Sequence, residues 1–209
     1  NNLKIGMEAP DFDAVSTMGD ISLSSYKGKW IVFFSHPNDF SPICTTEIIG
    51  LAKADTYFKK INTELIGISV DSLNSHLAWL YDIYLKTGLI VNFPIIADQN
   101  GVIARKYGMI SNDVSSTETV RNIFIIDDKG IIRSIFVYPM NIGRYIPEIL
   151  RTVTALQYSD QNNCMTPANW SPGNPMIVPP PKTFNALRER NESINKNRNG
   201  MSSVSYTHL

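Results

Sequence analysis

Residues 30–47 have the sequence WIVFFSHPNDFSPICTTE, which joins a predicted strand to a predicted helix through a short loop. The strand segment, residues 30–34, is aromatic or β-branched throughout, a composition typical of a buried strand. Ser41 is a good N-cap and Pro42 suits the first helical position, so Cys44 is predicted at the third. The positive end of the helix dipole stabilises a thiolate there. The stretch therefore predicts a reactive cysteine just after a buried strand.

The segments on either side of this stretch alternate between strand and helix patterns. Residues 12–23 are predicted to form a hairpin, and further strands are predicted at residues 65–70, 93–97, 120–126 and 131–137. Helices are predicted from residue 42, from Asp71 or Ser72 to about 86, over 102–107 and over 145–156. This order predicts an α/β thioredoxin-like fold with an N-terminal hairpin extension. Ligands of open α/β sheets bind at the carboxyl ends of strands, where Cys44 lies.

The amino-acid composition changes along the chain and divides it into three parts. Residues 1–159 are predicted to form the thioredoxin-fold domain. Residues 160–190 are rich in proline and are predicted to form an extended C-terminal arm without helix. Residues 191–209 are polar and are predicted to be a disordered tail.

Composition limits the classes of function. The formal net charge is zero and the sequence pI is about 7.0, which gives no reason to propose a nucleic acid or a membrane surface as a partner. No apolar stretch has the length of a membrane span, and the N-terminus lacks the apolar core of a signal peptide. Two cysteines are too few for a disulfide scaffold and favour a reducing compartment. We therefore expect a cytoplasmic protein.

Neither His36 nor His76 is predicted to be a ligand or a catalyst. His36 is expected to be structural and hydrogen-bonded within the loop, and His76 is expected to be a solvated helix residue. No group of His, Cys, Asp and Glu has metal-ligand spacing, and no glycine-rich loop precedes a helix to hold a phosphate. The sequence predicts neither a metal nor a bound cofactor.

The loop resembles the Pro-x-x-x-Thr/Ser-x-x-Cys signature of peroxiredoxins, the thiol-specific antioxidant family, at Pro37, Ser41 and Cys44. The longer stretch 34–47 is similar to the one-cysteine branch. Agreement continues downstream and covers residues from about 5 to 185, with matching motifs at 76–79, 93–96, 121–124, 138–139, 143–144 and 166–170.

The resemblance implies a thiol peroxidase in which Cys44 attacks a peroxide and becomes a sulfenic acid. It also implies that Ser41 and Arg121 stabilise the departing oxygen and that Pro37 covers the thiolate. Glu47 and Arg144 are implied to orient these groups. The substrates would be hydrogen peroxide and organic hydroperoxides, and the reductant an external thioredoxin-like, glutaredoxin-like or small thiol.

This chain departs from the family in three ways. The signature threonine is Ser41, which keeps the hydroxyl but loses rotamer stiffness, so we expect less ordering with retained activity. Some relatives carry a phospholipase serine just before the strand tryptophan; Lys29 stands there, so lipase activity is not expected. Cys164 lies two residues before Thr166, the position of the usual resolving cysteine. It is either a displaced resolving cysteine or an incidental thiol.

Three classes of function follow. The first is a thiol peroxidase. The second is a thiol–disulfide oxidoreductase, disfavoured because Ser41 replaces the partner thiol of a Cys-x-x-Cys motif. The third is a non-enzymatic redox sensor or holdase. Strand 131–137 could pair with another subunit along an open edge, which predicts a homodimer, with larger rings also compatible and with the arm lying over the neighbour.

Overall fold

A mixed seven-stranded sheet with strand order β2-β1-β5-β4-β3-β6-β7 organises the fold. The structure is a computed structural model that describes residues 3–197. The strands are β1 (Asp13–Ser16), β2 (Gly19–Ser22), β3 (Trp30–Ser35), β4 (Thr63–Ser69), β5 (Ile95–Ala97), β6 (Arg121–Ile126) and β7 (Ile132–Tyr138). The helices are α1 (Pro42–Lys60), α2 (Leu73–Thr87), α3 (Val102–Lys106), α4 (Ile146–Asn162) and α5 (Phe184–Asn197), with a 3-10 turn at Leu23–Tyr26.

Strand β3 is the centre of the core, and all of its residues are buried. Because side chains alternate across a strand, Phe33 and Phe34 face opposite sides of the sheet. Phe33 packs against Tyr107 with ring centroids 4.9 Å apart, and Phe34 packs against Phe93 at 5.9 Å. The sheet is therefore covered on both faces, as the continuous apolar run in the sequence predicts.

The direction of β6 brings distant residues to the end of β3. Strand β3 pairs with β4 in parallel and with β6 antiparallel. Since β6 runs the opposite way, its first residue, Arg121, lies at the same end of the sheet as Ser35, the last residue of β3. The loop to α1 starts at this end, so Arg121 is placed beside the predicted reactive cysteine.

The predicted alternation of elements is confirmed, with boundaries that differ by a few residues. The hairpin between β6 and β7 turns at Gly130, whose φ of +84° is one that glycine adopts readily. Helix α2 begins at the predicted cap, where Ser72 Oγ accepts a hydrogen bond from the Ser75 amide at 3.1 Å. It ends at Gly88, which has a left-handed conformation.

The arm differs from its prediction at both ends. Helix α4 continues to Asn162, and α5 begins inside the segment predicted to be free of helix and continues into the segment predicted to be disordered. Two local effects favour α5: the Thr183 hydroxyl accepts a hydrogen bond from the Ala186 amide at 3.2 Å, and Arg188 pairs with Glu192 one turn on at 3.7 Å. The rest of the predicted tail, residues 198–209, lies outside the described residues.

The contacts divide the chain into two compact units, Asn1–Leu150 and Arg151–Leu209. The first contains the whole sheet. In the second, Met165 and Ile177 pair through an isolated antiparallel bridge, and the buried Trp170 ring lies 5.9 Å from the Tyr158 ring. Across residues 3–197, none of the helices combines the length and apolar character needed to traverse a bilayer.

Candidate active site

The first turn of α1 holds Cys44 in the predicted position. Ser41 caps the helix, and its Oγ accepts a hydrogen bond from the Cys44 amide at 3.4 Å. The Ser41 carbonyl accepts a hydrogen bond from the Thr45 amide at 2.9 Å, which closes the first turn. The chain reverses into this turn at Phe40, whose φ is +58°. The Cys44 side chain ends fully buried, with 0% of the residue exposed.

Arg121 is the cation nearest to the sulfur among the contacts of the described residues. Its Nη1 donates to Cys44 Sγ at 3.3 Å. The guanidinium is held by the Met140 carbonyl, which accepts from Nε at 2.9 Å and from Nη2 at 2.7 Å. Nη1 also donates to Glu47 Oε2 at 2.7 Å. The cation is therefore fixed before any substrate arrives.

Glu47 lies one turn after Cys44 on α1 and joins two arginines. Arg144 Nη2 donates to Glu47 Oε2 at 2.6 Å, and Arg144 Nε and the Arg144 amide donate to Oε1, both at 2.9 Å. Burial alone would raise the pKa of Glu47, but the hydrogen bonds and charge of Arg144, together with the charge of Arg121, hold it below its ordinary value. Glu47 is therefore a buried carboxylate.

The charges of these three groups do not cancel. Two guanidinium groups face one carboxylate, and all three side chains are almost completely buried. Arg144 places its remaining donor, Nη1, on two backbone carbonyls, Ser35 at 2.9 Å and Asn122 at 3.1 Å. One positive charge is left in excess beside the sulfur. A thiolate at Cys44 would balance it, and so would the negative charge of a departing oxygen.

The remaining predicted residues are placed as follows. Pro37 is buried within the loop that leads to Ser41. Cys164 lies in the second unit, where its amide donates to the Ser159 carbonyl at 3.3 Å and its thiol contacts the Asn162 carbonyl at 3.3 Å. Both cysteines are free thiols. The contacts described above bring five of the predicted residues into one cluster: Ser41, Cys44, Glu47, Arg121 and Arg144.

Two histidines that share one carboxyl group form a second polar cluster beside the loop. It consists of His36, Asp39 and His76, and we call it the histidine pair. His36 Nε2 is 2.8 Å from Asp39 Oδ1, which confirms the predicted hydrogen bond of His36 within the loop. The prediction that His76 is solvated is wrong, because it is 0% exposed and its Nδ1 is 2.8 Å from Asp39 Oδ2. His76 forms one helical face with the buried Trp79 and Ile83, a spacing that could have indicated its burial.

The sequence shows no metal-ligand spacing, but the fold brings three possible ligand groups close together. One ligand atom from each of His36, Asp39 and His76 lies within 4.8 Å of the others. These atoms are already paired with one another at hydrogen-bond distance, so a cation would have to replace the protons between them. Burial would raise the pKa of Asp39, but hydrogen bonds from His36 and His76 outweigh burial and hold it well below its usual range. Burial lowers the pKa of His36 despite its bond to Asp39.

The sequence matches two family models. Residues 5–135 match the AhpC/TSA family, and residues 155–193 match the C-terminal domain of 1-Cys peroxiredoxin. The chain is 54% identical over 191 residues to peroxiredoxin 2 of Caldanaerobacter subterraneus subsp. tengcongensis, covering 91% of this chain and 86% of that protein. It is 47% identical over 192 residues to a peroxiredoxin of Aquifex aeolicus, covering 87% and 86% respectively.

Solved structures give the same result. A structure of yeast mitochondrial 1-Cys peroxiredoxin, studied for thiol resolution via glutathione/thioredoxin systems, has a TM-score of 0.83 and 41% identity and covers 90% of this chain and 92% of that one. A mutant of peroxiredoxin 6 of Arenicola marina has a TM-score of 0.82 and 34% identity, covering 90% and 89%. The predicted thioredoxin-like α/β fold is confirmed. A capped helix with a buried thiol facing an arginine, and relatives that agree along nearly the whole chain, lead to one conclusion: the chain belongs to the peroxiredoxins, the thiol-dependent peroxidases of the AhpC/TSA family.

Proposed function

We propose that this chain reduces hydrogen peroxide and organic hydroperoxides through a sulfenic acid on Cys44. The observation that carries the proposal is the contact of Arg121 Nη1 with Cys44 Sγ at 3.3 Å, inside a site with one excess positive charge. A buried thiol that faced only apolar side chains would behave as a small hydrophobic residue. The fixed guanidinium makes this one a candidate nucleophile.

In the proposed reaction the Cys44 thiolate attacks the terminal oxygen of the peroxide. The sulfur–oxygen bond forms as the oxygen–oxygen bond breaks, so the sulfur is oxidised to S–OH and the other oxygen leaves as an alkoxide or hydroxide that takes a proton. A first external thiol then displaces water from the sulfenic acid to form a mixed disulfide. A second thiol attacks the external sulfur of the mixed disulfide, so that Cys44 leaves as a thiolate and the two external thiols leave as a disulfide.

The rate must come mainly from the surroundings of the sulfur. For a thiol, full ionisation at neutral pH gains only about 30-fold over an unperturbed group, roughly 2 kcal/mol. In the proposed site, Arg121 and the Ser41 hydroxyl place the two peroxide oxygens in line with the sulfur and receive the charge of the leaving oxygen. Removing a single preorganised donor of this kind slows a reaction by about 10²–10³-fold. Pro37 limits access of water to the thiolate, and Glu47 and Arg144 hold Arg121 in place.

The partners are proposed at the level of chemical class. We propose an external thioredoxin-like, glutaredoxin-like or small thiol reductant, because Ser41 leaves no second thiol inside the loop. Strand β7 lies at an edge of the sheet, which supports a homodimer formed by pairing of that edge, with rings as larger assemblies. Two free cysteines suit a reducing compartment such as the cytoplasm.

The test is intact non-reducing mass spectrometry after rapid mixing of micromolar protein with one equivalent of hydrogen peroxide, with a sulfenic-acid trap in the quench. We expect the trapped adduct on Cys44 within a second and none in a Cys44→Ser variant. Unmodified Cys44 would overturn the peroxidase and leave the sensor or holdase. Turnover of disulfide substrates with unmodified Cys44 would favour the oxidoreductase.

The same experiment tests Cys164. A trapped adduct on Cys44 with Cys164 free would establish one-cysteine chemistry. A Cys44–Cys164 link, lost in a Cys164→Ser variant, would identify a resolving thiol. The mass of the linked species shows whether the disulfide lies within one chain or joins two chains.

A further inference from the structure

His76 contacts two acceptors through its two ring nitrogens. Its Nε2 is 3.1 Å from the carbonyl oxygen of Ile96, and its Nδ1 is 2.8 Å and 3.0 Å from the two carboxyl oxygens of Asp39. A carbonyl oxygen can only accept, so Nε2 carries a proton. A bare Nδ1 facing a carboxylate would place two lone pairs against each other, so a proton must also lie in that contact.

The surroundings of Asp39 place that proton on the histidine. Ser75 Oγ donates to Asp39 Oδ2 at 2.7 Å, and His36 Nε2 lies 2.8 Å from Oδ1. Three donors directed at one carboxyl group stabilise its ionised form. His36 Nδ1 has no partner, as expected for a neutral ring that donates only through Nε2. The histidine pair therefore holds an imidazolium at His76, a carboxylate at Asp39 and a neutral His36.

Asp71, which precedes α2, is a further titratable group in contact with this cluster. Its Oδ2 accepts hydrogen bonds from the Asp39 amide at 3.1 Å and from Ser69 Oγ at 2.7 Å. Each charged group of the cluster thus has a partner of opposite charge or a hydrogen-bond donor.

Helix α2 connects this cluster to the turn that holds Cys44. Trp79 lies one turn after His76, and its ring centroid is 5.0 Å from that of His36. Its Nε1 donates to Thr45 Oγ1 at 3.1 Å, and Thr45 Oγ1 in turn donates to the Ser41 carbonyl at 2.8 Å. One face of α2 therefore holds the loop through Asp39 and the start of α1 through Thr45.

We propose that His76 is a positioning residue of the peroxidatic site, whose Nδ1 proton binds Asp39 and fixes the loop that ends at Cys44. The inference rests on the proposed peroxidase function, and it concerns a residue that does not itself touch the sulfur. A positioning error of about 1 Å can cost about 100-fold in rate, so a single hydrogen bond at this place can matter to catalysis.

Two amide substitutions separate the two nitrogens of the ring. In His76→Asn the side-chain amide reaches the position of Nδ1 and can donate to Asp39, while in His76→Gln it reaches the position of Nε2 and can donate to Ile96. We expect the rate constant of Cys44 with hydrogen peroxide to stay within about threefold in His76→Asn and to fall about 10- to 100-fold in His76→Gln. The rate of alkylation by iodoacetamide, which needs no alignment of two oxygens, should change much less in both. Asn74→Gln, at an exposed position of the same helix, is the matched control.

The outcomes decide between positioning and packing. Equal losses in the two variants would overturn the proposal, because keeping the bond to Asp39 would then not protect the rate. A larger loss in His76→Asn would also overturn it, because the bond to Ile96 would then matter more. Proton–nitrogen NMR of ¹⁵N-histidine-labelled protein tests the proton directly and does not depend on variants that fold. We expect a proton on Nδ1 of His76, and a ring that lacks this proton would overturn the proposal. If the unmodified protein fails to react with peroxide, the proposed function fails while the NMR result still stands.

Discussion

Arg121 and Cys44 are 77 positions apart in the chain, yet Nη1 of the arginine lies 3.3 Å from the sulfur. The contact exists because β6 runs antiparallel to β3 and starts where β3 ends. Two hydrogen bonds to the Met140 carbonyl and one to Glu47 leave the guanidinium little freedom. The position of the cation is thus a property of the sheet.

Arg121→Lys should slow the reaction of Cys44 with hydrogen peroxide by about 10²–10³-fold, because a lysine keeps the charge but cannot hold the carbonyl, the carboxylate and the sulfur together. Stopped-flow kinetics over a range of peroxide concentrations measures the change. Arg133→Lys is the control, since Arg133 lies near the other end of the β6–β7 hairpin and pairs with Asp127. Comparable losses in the two variants would show that the contact with sulfur is not what matters.

Glu47→Gln should lower the free energy of unfolding at pH 7 by about 3–5 kcal/mol, because two buried guanidinium groups lose their counter-charge. The pKa of Glu47 is lower in the folded protein than its ordinary value of 4.5, so its stabilisation is complete above that value and is lost as the pH falls through the folded pKa. Denaturant unfolding of both proteins at several pH values should show a difference that shrinks in acid.

Glu64→Gln is the control for this pH dependence. Glu64 pairs with the partly exposed Lys29 at the surface, where an ion pair contributes about 0–1 kcal/mol. A loss at Glu64 as large as that at Glu47, or a Glu47 difference that does not change with pH, would contradict the role assigned to the buried carboxylate.

Ser41→Ala should lower both stability and rate. The cap contributes about 1 kcal/mol to a helix, and the hydroxyl is also one of the proposed donors to the peroxide. Ser41→Thr should keep the hydroxyl, stiffen its rotamer and match or exceed the parent rate. Melting temperatures measure the loss of stability separately, so that a loss of rate is not mistaken for unfolding. Ser72→Ala, which removes the cap of α2, gives the cost of a cap outside the cluster around Cys44.

Val137→Lys should convert the proposed dimer to monomers. Val137 lies on the edge strand β7 with 66% of its surface exposed, and a lysine on an edge strand opposes pairing with another edge. Light scattering at micromolar concentration gives the mass. Val102→Lys places the same charge at an equally exposed site on α3 and should leave the mass unchanged. A monomeric parent protein would refute the proposed dimer.

Local sequence signals were sufficient for the strand β3 and the start of α1. The apolar run ends at Phe34, and the cap, the proline and the cysteine follow in an order that few structures other than a helix start can satisfy. The position of Arg121 could not be obtained in this way, because the pattern of a strand does not state which strand lies beside it. Resemblance to a family supplied that residue, together with Glu47 and Arg144.

The burial of His76 shows a different limit. A histidine after a helix cap is compatible with solvent and with the core, and its environment depends on which helical face meets the sheet. The buried neighbours Trp79 and Ile83 carried that information at helical spacing. The helix α5 was missed because proline-rich and polar residues around it dominate the local composition, whereas its cap and ion pair are short-range features.

In the proposed catalytic cycle, the complete burial of Cys44 makes the size of each reacting partner important. A molecule as small as hydrogen peroxide needs only small side-chain motions to reach the sulfur. A protein reductant, if it is the partner as proposed, is too large to reach the sulfur while the first turn of α1 keeps Cys44 buried. For the proposed peroxidase we therefore expect reduction by a protein thiol, unlike oxidation by a small peroxide, to require local opening of that turn.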